Sequence, residues 1–130
     1  MFKTLTYICL RFLVLIVVQN LSAQSPKKIL LNDKDEHSGY YLVVEPQHVD
    51  SISGVLVLLA GFGQTPEQTP PETKLHTVAA ANKLLTVFCA GGNKLYADSV
   101  TLEKLNKVIR DVFSRYKVNK NSFVLGGYSA

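Results

Sequence analysis

The chain has 130 residues, with 14 Lys+Arg against 10 Asp+Glu, 47% hydrophobic and 18% charged residues, 8 Gly, 5 Pro and 2 Cys. It is too apolar for a disordered tail, lacks the glycine period of collagen, and holds too few cysteines for a disulfide-stapled miniprotein. One globular domain at most fits.

Residues 1–23 read as a secretory signal peptide. Lys3 and Arg11 flank the short apolar run Phe12 to Val18, and Gln19-Asn20-Leu21-Ser22-Ala23 presents a small residue for cleavage after Ala23. The run is far shorter than the about 20 residues that cross a bilayer as a helix. The expectation is a secreted or periplasmic protein, with no stable membrane insertion after signal cleavage. Removing the leader takes away two bases and no acid, which leaves a charge that names no partner. The late bases Lys104, Lys107, Arg110, Arg115, Lys117 and Lys120 interleave with Glu103 and Asp111, the pattern of a solvated helix face, so no nucleic acid partner is expected. Cys89, the one cysteine beyond the leader, has no partner for an internal disulfide.

Residues 24–38 are polar around Ile29-Leu30-Leu31 and read as a loose start. Gly39 to Glu45 is rich in aromatic and β-branched residues and stops at Pro46, which predicts a strand. Val55 to Ala60 is apolar at every position and ends at Gly61, the pattern of a strand buried on both faces. Gln64 to Pro71 contains Pro66, Pro70 and Pro71 and reads as loop, and Thr73 to Leu84 then fits a short helix. Leu84 to Ala90 is a second all-apolar run, ending at Gly91-Gly92. From Ser99 the spacing of Leu102, Leu105, Ile109, Val112, Phe113 and Tyr116 draws one apolar stripe on a helix. Asp98 or Ser99 can cap that helix, and Glu103 suits its first turn. Asn119 to Ser122 turns the chain into Phe123-Val124-Leu125, a third buried strand ending at Gly126-Gly127. Strands alternating with helices predict the α/β class, a parallel sheet with helices on both faces, over residues 24–130.

In such sheets ligands bind beyond the carboxyl ends of the strands. Three of those ends are rich in glycine: Gly61-Phe62-Gly63, Gly91-Gly92, and Gly126-Gly127-Tyr128-Ser129. Gly127-Tyr128-Ser129-Ala130 matches the first four positions of G-x-S-x-G, the strained strand-to-helix turn that lifts a serine hydroxyl out of the top of a sheet. Its place after a buried strand favours a nucleophile over an ordinary turn serine. Cys89, at the end of an apolar strand, reads as a small core residue. His37, His48 and His76 read as plain surface histidines. Gly91-Gly92-Asn93-Lys94 matches neither phosphate-binding pattern, and no His, Cys or carboxylate cluster has metal-ligand spacing, so neither cofactor nor metal is expected.

On Leu58-Leu59-Ala60-Gly61-Phe62-Gly63-Gln64 and Val124-Leu125-Gly126-Gly127-Tyr128-Ser129-Ala130, the chain resembles the α/β-hydrolase family, in particular secreted bacterial carboxylesterases, over about residues 40 to 130. It departs from them at Ala60, where relatives usually carry His. The resemblance implies that Ser129 is the nucleophile and that the backbone N–H groups of Phe62 and Ala130 form the oxyanion hole. Gly61, Gly63 and Gly127 would then shape the loops. It also implies a small-molecule ester as substrate, and a catalytic acid and His beyond Ala130, so that this chain is an N-terminal portion that does not turn over alone. Two other readings stand beside it: a peptidase of the prolyl-oligopeptidase type, which shares the serine turn, and a non-catalytic α/β binding module.

Overall fold

A computed structural model describes residues 24–31, 39–47, 50–90, 99–119 and 121–127. Residues 1–23, expected to be a signal peptide, and His37, His48, Gly91, Gly92, Asp98, Tyr128, Ser129 and Ala130 lie outside them.

Five strands form one sheet: β1 (Lys27–Leu30), β2 (Tyr40–Val44), β3 (Gly54–Leu59), β4 (Leu84–Cys89) and β5 (Phe123–Gly127). Their order across the sheet is β1-β2-β4-β3-β5. β4, β3 and β5 run parallel, whereas β2 is antiparallel to β4 and β1 antiparallel to β2. The sheet is therefore mixed, which corrects the expectation of an all-parallel one. An apolar run such as Tyr41-Leu42-Val43-Val44 reports burial on both faces and says nothing of strand direction. β1 corrects the reading of a loose start: Ile29 supplies the buried residue that holds this short outer strand against β2.

Helices cover both faces. On one, Val108 and Val112 of α3 (Ser99–Arg115) pack on Tyr41, Val43, Val55, Val57, Leu85 and Val87. On the other, Leu42, Val44, Leu58 and Phe88 form a second cluster, and α2 (Leu75–Ala81) lays the His76 ring edge-on to Phe88 at 5.9 Å. Fully burying a Val or Leu side chain contributes about 1.5–3 kcal/mol, so these two clusters dominate the stability of the sheet. The proline-rich stretch expected as loop folds into a 3-10 turn (Pro66–Gln68) and a one-turn helix α1 (Thr69–Glu72). Proline is tolerated there because a first helical turn needs no N–H donor. Tyr40 Oη donates to Glu67 Oε2 at 2.8 Å and ties that turn to β2.

The third apolar strand is not buried as the sequence predicts. β5 pairs with β3, but Val124 and Leu125 are 54% and 48% exposed. The helical stripe also sits differently: Leu102 is exposed, and Val108, absent from the predicted stripe, is fully buried.

Candidate functional site

β3 leads through the 3-10 turn and α1 to α2 on one face of the sheet, whereas β4 leads to α3 on the other. Neighbouring strands whose connections part to opposite faces leave a crevice at their carboxyl ends. The register aligns three such ends at one level, since Leu59 of β3 pairs with Cys89 of β4 and with Gly127 of β5. Ala60 N–H donates to the Cys89 carbonyl at 2.8 Å, which carries the pairing one residue past β3.

The chain then makes a tight turn over Gly61-Phe62-Gly63-Gln64. Gln64 N–H donates to the Gly61 carbonyl at 3.0 Å, and Gly63 has φ +69° while Phe62 stays outside the left-handed region. A positive φ at the third position alone defines a type II turn, which favours glycine there because a Cβ would be strained. The Gln64 side chain closes the turn a second time: Gly61 N–H donates to Gln64 Oε1 at 2.9 Å. Gln64 Nε2 in turn donates to Glu72 Oε1 at 3.5 Å, linking the turn to α1. Gly61 is buried and Phe62 is exposed.

This bracket sets the direction of the Phe62 amide. The Gly61 carbonyl and the Phe62 N–H belong to one planar peptide, and the chain has no cis bond among the described residues. The bond that holds the carbonyl toward Gln64 therefore aims the Phe62 N–H the opposite way, out of the turn. No described residue accepts from it.

Of the residues picked out in the sequence, Gly61, Phe62, Gly63 and Gly127 come together at this edge, on neighbouring strand ends. Ser129 and Ala130 fall outside the described residues. Cys89 is buried at the same edge, and burial pushes its thiol up to about 12, with Lys104 opposing only weakly, so it is a neutral core group at neutral pH. His76 sits on the Phe88 face, its Nδ1 buried without a described partner. Among the described residues, no group of three or more His, Cys, Asp or Glu could hold a metal ion, and no helix is long and apolar enough to cross a membrane. Gln64 and Glu72 were missed by sequence reasoning. A glutamine right after Gly-Phe-Gly is the signal that was present, but its reach back to Gly61 depends on the turn type.

Comparison of the chain with protein-family models, with curated proteins and with solved structures gives no match.

Proposed function

We propose that this chain is part of a secreted serine hydrolase acting on carboxylic esters. In this reading the Ser129 hydroxyl is the nucleophile and the Phe62 and Ala130 amides are the oxyanion-hole donors. The observation that carries it is the pairing of Leu59 with Gly127 on parallel neighbours. Ser129 follows Gly127 by two residues, a reach of at most about 7 Å. Phe62 follows Leu59 by three, and adjacent strands lie only about 4.8 Å apart. Chain length thus allows a serine and an outward-aimed amide on those two segments to reach one reacting carbonyl.

The chemistry is acyl transfer. Ser129 Oγ attacks the ester carbon and gives its proton to a base, and negative charge develops on the carbonyl oxygen. Fixed N–H groups stabilise that charge without reorganising, and each such donor contributes about 3–4 kcal/mol to the transition state. Collapse breaks the bond to the leaving alcohol, and water then hydrolyses the acyl-serine. The reading requires a histidine base and an acid downstream of Ala130. The burial of Cys89 in the core, which also raises its thiol, supports serine over cysteine as the nucleophile of this edge.

The test uses the complete protein, a fluorophosphonate probe, a short-chain nitrophenyl ester and a proline peptide. Labelling mapped to Ser129, with ester turnover lost in Ser129→Ala, is the expected result. Cleavage of the peptide but not the ester would shift the substrate class to peptides. Absence of labelling would overturn the hydrolase reading in favour of a binding module.

A further inference from the structure

We infer that Gln64 is a positioning residue for the oxyanion hole, an inference that rests on the hydrolase reading above. The turn after β3 carries three N–H groups, of Gly61, Phe62 and Gly63, but a carbonyl oxygen developing charge needs specific ones, fixed in advance. The Gln64 side chain takes the first of them out of use, because Oε1 accepts from Gly61 N–H at 2.9 Å. The Gln64 main chain holds the Gly61 carbonyl at 3.0 Å and, through the planar peptide, aims the Phe62 N–H outward. One residue thus removes the Gly61 amide from use and fixes the direction of the Phe62 amide. Its Nε2 contact with Glu72 Oε1 at 3.5 Å anchors the side chain to α1, so the selection is held from outside the loop.

Without the side chain, the main-chain bond from Gln64 still orients the Gly61–Phe62 peptide within the turn, but the Gly61 N–H is released and the link to Glu72 is gone. The turn is then held to the fold only at its ends, and Gly61 and Gly63 offer little steric resistance to its shifting as a unit. The Phe62 N–H moves with it and loses its fixed position. The loss falls on the transition state, where the charge is, and not on the neutral ground-state ester. Misplacing a catalytic group by about 1 Å can cost about 10²-fold in rate.

The experiment measures kcat and KM for a short-chain nitrophenyl ester, with fluorophosphonate labelling, in the complete protein and in Gln64→Ala, Gln64→Met and Gln64→Glu. Met matches the length of Gln but accepts no hydrogen bond at that point, whereas Glu keeps the acceptor and, combined with Glu72→Gln, keeps the link to α1 with donor and acceptor exchanged. The expected result is a fall in kcat of about 10²-fold for Ala and Met with KM changed less than about twofold, and recovery of most of kcat in Glu when Glu72→Gln accompanies it. Equal kcat in Met and wild type overturns the positioning role, as does a rise in KM at constant kcat. A wild-type protein that neither labels nor turns over overturns the hydrolase reading itself. If Gln64→Ala fails to fold, the Met and Glu pair decides the question.

Discussion

Tyr41 links the sheet to its largest helix through one hydroxyl. Its ring is wholly buried in β2, its Oη donates to Asp111 Oδ2 at 2.7 Å, and Arg115 Nε donates to that same oxygen at 2.7 Å. Burial first, and then the Asp111 hydrogen bond, raise the Tyr41 hydroxyl well above the ordinary tyrosine value of 10.0. Tyr116 is pushed up to about 12 by burial and by Glu45, whose Oε1 accepts its hydroxyl at 3.4 Å. Tyr40 is raised to about 12 by burial and Glu67. In each case the folded state holds the proton more tightly than the unfolded chain. All three contributions are therefore complete below pH 10 and decline above it; those of Tyr40 and Tyr116 are lost as pH rises through about 12, and that of Tyr41 persists further. Urea unfolding at a series of alkaline pH values should show the midpoint falling through that window, less steeply in Tyr41→Phe. A midpoint that is flat from pH 9 to 12 would contradict the described hydrogen bonds.

At the scale of elements, the sequence shows clearly where apolar surface is buried and poorly how segments are oriented. β3 and β4 were legible because nearly every position is apolar, Thr86 of β4 being the polar exception. α3 was legible because its stripe repeats every three to four residues, although the true face centres on Val108 and Val112 and leaves Leu102 in solvent. The 3-10 turn and α1 were hidden by Pro66, Pro70 and Pro71, which suit first helical turns as well as loops. Two glycine and near-glycine positions show what turns demand. A Cβ on Gly54 would lie 2.6 Å from Ser122 Cβ, so the approach of the β5 lead-in to β3 requires glycine there. Lys83, by contrast, carries a side chain at φ +60°, just past the end of α2. Its N–H donates to the Ala80 carbonyl and its carbonyl accepts from Ser53 N–H at 2.9 Å, so the strain is held in place by both neighbours. The left-handed conformation costs a residue with a Cβ about 1 kcal/mol. Lys83→Gly should therefore raise the melting temperature by a few degrees, and a lowered one would show that the Lys83 side chain stabilises the fold by more than its strain costs.

For the whole molecule, mixed strand direction follows from connections that composition does not encode. No helix is present among the described residues between β2 and β3, yet β4 lies between them in the sheet. The candidate site was legible as glycines at strand ends. What was not legible is the turn that engages the Gly61 amide and aims the Phe62 amide outward, because that depends on a glutamine folding back on its own loop. β5 leaves Val124 and Leu125 about half exposed, and beyond β3 no described strand pairs with it. An apolar edge of this kind recruits other chains. Sedimentation velocity of the 130-residue chain should show association that grows with concentration and is reduced by Leu125→Lys. A monomer at every concentration would mean that this edge is covered.

The most direct measurement is a crystal structure of the complete protein after reaction with a phosphonate ester. The expected result is a covalent bond from Ser129 Oγ to phosphorus, with the phosphoryl oxygen about 3 Å from the Phe62 nitrogen and the Gly61 N–H still held by Gln64. An adduct on any other residue, or a phosphoryl oxygen turned away from Phe62, would contradict it.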